Sequence, residues 1–259
     1  MFIVGTGLEL LTTRRKKVLI ALVDEYVESA APVSSIRLAQ HYLKDVSAAT
    51  IRNELMNLEN EGYATSPHTS AGRIPTNIGY QVFVNTILLR ATVLDEGQAI
   101  FSKSSKLDLG QLRGLEPEQY LDRILADLSD LTGLLSVLWW IRPYSVIHHR
   151  GMPQLMAQPE FRDSTTLIPL MQLLEDESSL ASLFYSILRG NGLVVKIGIE
   201  DKDGRLSSYS VVAEVIGKEQ MQGILAVFGP TRMDYRKVIP AILHAQRLLD
   251  SILVRIPNR

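Results

Sequence analysis

Between Thr13 and Gly62 three short amphipathic stretches follow one another, each bounded by residues that start or stop a helix. A segment punctuated this closely cannot run as one long helix, and it folds instead as a compact group of short ones. From Thr13 to Ser29 the apolar residues Leu19, Leu22, Val23 and Tyr26 fall at i, i+3, i+4 and i+7, with Asp24, Glu25 and Glu28 between them, the spacing of a helix with one buried face. Ala31-Pro32-Val33 breaks it. Ser34 is placed to cap a second helix reaching about Tyr42, with Ile36, Leu38 and Ala39 expected to face inward. After Leu43-Lys44-Asp45-Val46, Ser47 is the expected cap of a third helix, whose buried stripe is Ile51, Leu55 and Leu58 and whose end is Gly62.

The periodicity then changes. Tyr63 to Ser66 reads as a short strand, Pro67 to Gly72 as a polar loop and Arg73-Ile74-Pro75 as the return, which together make a wing. A further helix, Asn77 to Arg90 with Thr76 as its cap, carries Tyr80, Phe83, Val84, Ile87 and Leu88 on one side.

Three helices followed by a wing is the order of a winged helix-turn-helix, and the third helix has a suitable polar face. With Ile51, Leu55 and Leu58 turned inward, about 100° per residue places Ala49, Arg52, Asn53 and Met56 outward. Arginine and asparagine are the side chains that read guanine and adenine edges through paired hydrogen bonds in a major groove. Ala48 and Ala49 are small enough for the first turn to approach bases, while the hydroxyls of Ser47 and Thr50 and the helix N-terminus suit phosphate. The wing offers Thr69, Ser70 and Arg73 around Ala71-Gly72 for contact with the backbone or minor groove. The plain alternative is that Arg52 and Asn53 are merely solvated, and the order of elements around them is what favours contact with duplex DNA. The basic run Arg14 to Lys17 fits either an exposed helix start or a phosphate clamp.

Beyond Arg90 the chain is expected to pass through a linker, residues 91–117, into a second domain, residues 118–259. That domain should open with a helix from about Glu118 to Leu131, followed by an apolar segment to Ile141, an irregular stretch from His148 to Arg162, and one helix from about Ser164 through Leu188. Its end reads as strands at Gly192 to Glu200, Leu206 to Ile216 and Gly223 to Phe228, with the Asp203-Gly204 turn joining the first two. A last helix, about Asp234 to Val254, contains Pro240, which removes one backbone donor and predicts a kink or a late start. The expected fold class is therefore α+β, an N-terminal winged helix-turn-helix and a C-terminal domain with an antiparallel sheet.

At 259 residues and 46% hydrophobic, the chain is large enough for two cores. With no cysteine it can form no disulfide, thiolate nucleophile or Cys-ligated metal site. The longest apolar stretch, Leu131 to Ile141, is too short to cross a bilayer. The short apolar start before Arg14 lacks the order of a secretory signal. A cytoplasmic location and no membrane partner are expected. Net charge is −1; up to Arg90 nine Lys/Arg face eight Asp/Glu, and beyond it eighteen face twenty. Bulk charge therefore gives no signature of nucleic-acid binding, and any such signal must come from local placement.

Other constellations carry little chemistry. Adjacent His148 and His149 diverge on a strand or a helix, which is poor metal geometry, and His41, His68 and His244 lack paired ligand spacing. Trp139-Trp140 sits in a run typical of a core, with a ligand pocket or subunit contact as the alternative. Gly190-Asn191-Gly192 precedes a strand and does not join a strand to a helix, and there is no Gly-x-Ser-x-Gly elbow. Gly229-Pro230-Thr231-Arg232 reads as a turn packed on the sheet, or as an anion site at a helix start. No catalytic residue, cofactor or metal is expected, and the chain is not expected to be an enzyme.

Several strings also resemble a known family. Pro32-Val33-Ser34-Ser35, Asp45-Val46-Ser47-Ala48-Ala49-Thr50-Ile51-Arg52-Asn53-Glu54-Leu55, Pro67-His68-Thr69-Ser70-Ala71-Gly72-Arg73-Ile74-Pro75-Thr76 and Gly79-Tyr80 look like the DNA-binding head of the HrcA heat-shock repressors. Gly229 to Tyr235 resembles that family's second signature, and Gln158-Pro159-Glu160-Phe161 fits its middle region. The resemblance implies a dimeric repressor with a winged-helix head and a GAF-like body carrying an inserted dimerisation domain. It also implies an inverted-repeat operator upstream of chaperone genes and dependence on the GroE chaperonin. The chain departs from the family between Tyr120 and His149, where only a short stretch stands in for a longer body.

The expected DNA-contacting set is Ser34, Ser35, Arg37, Ser47, Ala48, Ala49, Thr50, Arg52, Asn53, Met56, His68, Thr69, Ser70, Gly72 and Arg73. The expected function is repression of chaperone genes by a homodimer on double-stranded DNA. The competing expectation is a sensor or interaction protein whose GAF-like body binds a ligand or the chaperonin and whose head no longer binds an operator.

Overall fold

The computed structural model describes residues 11–68, 72–88, 117–189, 192–201, 203–218 and 221–253. The chain divides into two compact units, one within Ile3–Arg90 together with Arg232–Asp234, the other taking the rest.

In the first unit, α1 (Thr13–Ser29), α2 (Ser35–His41) and α3 (Ala48–Asn60) precede a two-stranded antiparallel ribbon, β1 (Ala64–Thr65) and β2 (Ile74–Pro75), and then α4 (Asn77–Leu88). Each of the first three helices starts where a hydroxyl takes up an orphan backbone donor: Thr12, Ser34 and Ser47 accept from the amides of Arg15, Arg37 and Thr50. The third ends at Gly62, whose φ of +81° is the left-handed conformation that glycine adopts without a side-chain clash. Val18, Leu19, Leu22 and Val23 of α1, Leu38 of α2, Ile51, Leu55 and Leu58 of α3, and Tyr80, Phe83, Val84 and Ile87 of α4 are buried. Ile36 departs from expectation. It is 59% exposed, because a helix of only two turns can direct one narrow stripe inward and Leu38 occupies it.

The second unit is α+β. α5 (Pro117–Thr132) leads into β3 (Leu135–Arg142) and β4 (Val146–Arg150), a short helix α6 (Met152–Met156) and a single 3-10 turn (Pro159–Phe161). Then come α7 (Ser164–Glu175), α8 (Glu177–Arg189), β5 (Val194–Ile197), β6 (Tyr209–Lys218), β7 (Met221–Pro230) and α9 (Tyr235–Leu253). The strands form one five-stranded sheet in the order β4-β3-β7-β6-β5, with every pairing antiparallel. Because strand side chains alternate between faces, Leu135, Val137 and Trp139 of β3 join Val211 and Ala213 of β6 and Ile224, Ala226 and Phe228 of β7 in one core, with α7 and α8 packed on it. The opposite face lies against α9 and α5.

Three expectations here need correction. The stretch from His148 to Arg162 is not irregular but completes β4 and forms α6 and the 3-10 turn, elements too short to leave a periodic signature. The single helix from Ser164 through Leu188 is two helices, since Asp176 takes an extended conformation (ψ of 101°) and accepts from the amides of Ser178 and Ser179 to start α8. Of the two outcomes expected of Pro240, a kink or a late start, the late start is the one corrected: Pro240 lies inside α9, which begins at Tyr235. Pro240 is the sixth residue of the helix, so it removes one donor from the backbone ladder, and the helix continues through it. The expected linker, residues 91–117, lies outside the described residues apart from Pro117, which opens α5.

Candidate nucleic-acid interface

The polar face of α3 is built by subtraction. Ile51, Leu55 and Leu58 are buried, so the residues opposite them must face away from the core. Ala49, Arg52, Asn53 and Met56 are all exposed, Met56 at 48%. Arg52 forms no ion pair among the described residues. At the start of the helix the Ser47 hydroxyl accepts from the Thr50 amide at 3.1 Å and lies 2.9 Å from the Thr50 hydroxyl. That ties up part of the polar inventory of the first turn and fixes where the helix begins. Ala48 and Thr50 are half-buried.

The flanks of α3 carry acids, and each is held by an arginine from another element. At about 100° per residue, Glu54 and Glu61 fall on one flank and Glu59 on the other. Arg15 of α1 spans the first pair, its Nε 3.3 Å from Glu54 Oε2 and its Nη1 ion-paired with Glu61. Burial works against the Arg15 charge, but hydrogen bonds and attraction from the two carboxylates outweigh it and raise its pKa. On the other flank Arg73 donates through Nε to Glu59 Oε2 at 2.9 Å, with Nη2 2.7 Å from the same oxygen and Nη1 3.3 Å from the Ser66 hydroxyl. Arg73 was expected as a contact to DNA backbone or minor groove; its guanidinium is engaged with α3 and the ribbon.

Arg37 is likewise engaged, pairing with Glu25 of α1. Glu25 is only 2% exposed and also interacts with Tyr42, so this carboxylate is satisfied from two sides. Burial, together with Glu28, Glu25 and Asp24 nearby, pushes the Tyr42 hydroxyl up to about 12. The Ser34 side chain caps α2, and Ser35 is half-buried in its first turn.

The base of the ribbon is fixed by a close approach. Val33 and Arg73 exchange backbone hydrogen bonds of 2.9 and 2.8 Å, and a Cβ on Gly72 would stand 2.3 Å from the Val33 carbonyl oxygen. Only glycine fits there. His68 is exposed, and its carbonyl accepts from the Ser66 hydroxyl at 2.7 Å. Thr69 and Ser70 lie outside the described residues.

Thus α3 brings Ala49, Arg52, Asn53 and Met56 together on one surface, whereas Arg37 and Arg73 have intramolecular partners. Sequence reasoning weighed Arg15 only within the basic run Arg14 to Lys17, as an exposed helix start or a phosphate clamp, and passed over its pairing with Glu54 and Glu61 and that of Arg73 with Glu59. The seven-residue spacing of Glu54 and Glu61 marks a shared flank, but the arginine that meets them is 39 positions from the first and 46 from the second, a distance no local pattern bridges.

In the second unit His148 and His149 lie on β4 at successive positions and so point to opposite faces. Among the described residues no group of three or more His, Asp or Glu side chains is arranged to hold a metal. Trp139 belongs to the core, its indole N–H donating to the Ser145 hydroxyl at 3.0 Å, and Trp140 is half-buried on the other face. Gly229 and Pro230 end β7, and α9 follows within a few residues. No helix among the described residues is long and apolar enough to cross a membrane.

Comparison with known proteins gives this geometry a class. The chain aligns nearly end to end with transcription repressors. The heat-inducible transcription repressor HrcA of Pelotomaculum thermopropionicum is 28% identical over 95% of this chain and 98% of that protein. The protein of the same name from Brevibacillus brevis is 27% identical over 94% and 98%. A crystal structure of a hypothetical protein shares the fold, with a TM-score of 0.76 at 20% identity over 95% of this chain and 99% of that one. By class the chain is a transcription repressor. The family described as HrcA protein C terminal domain matches residues 103–239, and the chain belongs to the HrcA family. The alignment with the Pelotomaculum protein spans 342 positions against 259 residues here, so that relative carries residues with no counterpart in this chain.

Proposed function

We propose that the chain represses transcription by binding duplex DNA as a homodimer, with α3 in the major groove and the loop between β1 and β2 at the flanking backbone or minor groove. The observation that carries this reading is the capped helix α3, which buries Ile51, Leu55 and Leu58 and leaves Arg52, Asn53 and Met56 in solvent. Arg52 and Asn53 read bases, while Ala48 and Ala49 allow close approach and Ser47, Thr50, Ser34 and Ser35 meet phosphate. His68, Thr69, Ser70 and Gly72 contribute at the ribbon. Arg37 and Arg73 act through the geometry they maintain, since their guanidiniums already hold Glu25 and Glu59.

In this reading residues 1–90 are a winged helix-turn-helix head, 91–117 a linker and 118–259 a GAF-like body, shortened relative to the family in its middle. Two heads related by a twofold axis match an inverted repeat, because one small module buries too little surface for high specificity. The names of the relatives, heat-inducible transcription repressors, support control by heat; chaperone genes as targets and the GroE chaperonin as a regulator are what the family resemblance implies.

The test is to recover the full chain from its own cell extract after crosslinking and to sequence the bound DNA, alongside sedimentation of the purified protein. Enrichment of an inverted repeat ahead of chaperone genes, and a dimer in sedimentation, are the expected results. A monomer that enriches no DNA would refute the reading and favour a sensor or interaction protein.

A further inference from the structure

Acids beside a DNA-reading surface repel phosphate unless something neutralises them, and α3 carries two, Glu54 and Glu59, with a third, Glu61, at its C-terminal cap. Glu54 and Glu61 sit two turns apart on one flank, and Glu59 lies on the other. Both flanks are occupied. Arg15 reaches from α1 to Glu54 and Glu61, and Arg73 reaches from the base of the ribbon to Glu59. Both arginine side chains are mostly withdrawn from solvent, with 19% and 22% exposure. Two elements therefore grip α3 from its two flanks, and the Glu59 carboxylate, seven residues from Arg52 and so on the same flank, is held by Arg73.

We propose that Arg15 and Arg73 are positioning residues for DNA recognition: they fix the roll of α3 and offset two of the three negative charges on its flanks, without themselves contacting phosphate. The inference rests on the reading of α3 as the DNA-contacting helix. It also accounts for a head that is nearly neutral by composition. Four of its acids, Glu25, Glu54, Glu59 and Glu61, are paired internally with Arg37, Arg15 and Arg73, which leaves Arg52 outward on α3 and Arg14 and Lys17 exposed on α1.

The experiment titrates the full chain against a duplex selected from genomic DNA by the wild-type protein, and against a shuffled duplex, across a range of salt concentrations. Arg15→Met is expected to weaken binding to the selected duplex about tenfold. Its salt slope should also flatten, because the unmasked carboxylates repel phosphate most at low salt; removing a true phosphate contact lowers the slope by about one as well, so rescue by glutamine is what separates the two. Adding Glu54→Gln and Glu61→Gln to Arg15→Met should restore most of the affinity, and Arg15→Lys should fall between wild type and Arg15→Met. The Glu54→Gln/Glu61→Gln double variant, which retains Arg15, should bind within about twofold of wild type, a measurement that does not depend on Arg15→Met folding. For Arg73→Met, rescue by Glu59→Gln is the corresponding expectation.

A slope reduced by about one without rescue by glutamine would make Arg15 a phosphate contact and overturn the proposal. Unchanged affinity for Arg15→Met, or a tenfold loss in the glutamine double variant, would overturn it as well. If the wild-type chain selects no duplex, the proposed function fails and this inference falls with it; a binding wild type with the wrong variant pattern refutes this inference alone.

Discussion

Replacing Gly72 with alanine tests how the ribbon is held to the helices. A Cβ at this position would stand 2.3 Å from the Val33 carbonyl oxygen, 2.4 Å from its carbon and 2.7 Å from its nitrogen. All three are backbone atoms, so no side chain can rotate aside, and the chain must separate by the better part of an ångström. The separation falls on the pair of hydrogen bonds between Val33 and Arg73, at 2.9 and 2.8 Å. Losing both costs about 2 kcal/mol at roughly 1 kcal/mol per bond, which is about a thirtyfold change in the local opening equilibrium. Hydrogen exchange read by NMR or mass spectrometry should show the Val33 and Arg73 amides exchanging about thirtyfold faster in Gly72→Ala, while amides of α1 keep their protection. Affinity for a selected duplex should also fall, because Arg73 loses its fixed place beside Glu59. Val33 and Arg73 amides as protected as in wild type would refute the steric reasoning.

Glu214 in β6 is 8% exposed, and burial, reinforced by Asp250, pushes its pKa up to about 7 against the opposing effect of the Val215 amide. The folded state then keeps a proton that the unfolded chain releases near its ordinary carboxylate value. Stability is full below that value and is lost as pH rises toward and through about 7. At about 1.4 kcal/mol per pKa unit the ceiling is roughly 3 kcal/mol, and we expect about half of it. Glu214→Gln should therefore raise the urea midpoint at about pH 8.5 and flatten its dependence between about pH 5 and that point, and a pH profile identical to wild type would contradict this. Ser47→Ala removes the acceptor for the Thr50 amide and should cost about 1 kcal/mol in urea unfolding; no measurable change would mean that the cap contributes nothing.

Most of the first unit was legible because its signals are local. Ser34 and Ser47 cap the helices where the apolar periods begin, and Leu38, Ile51, Leu55 and Leu58 are buried as their spacing requires. Ile36 misled because two turns of helix supply too few positions to define a face. In the second unit the long strands β6 and β7 announced themselves by length and apolar content. The elements between His148 and Arg162 did not, since strands and turns of five residues or fewer are settled by the sheet and core they join. The break at Asp176 was visible in principle, as an acid followed by Ser178 and Ser179, but the apolar period on either side masked it. The candidate interface divides in the same way. Arg52 and Asn53 followed from periodicity, whereas the partners of Arg15, Arg37 and Arg73 are pairings across the fold that no window of sequence contains.

Whether Arg52 and Asn53 contact bases is decided by a competition titration of Arg52→Ala and Asn53→Ala on the selected and shuffled duplexes. Each substitution should weaken binding to the selected duplex about ten- to a hundredfold while changing binding to the shuffled duplex little, so that discrimination collapses. Equal losses on both duplexes, or no loss on either, would contradict base contact by these residues.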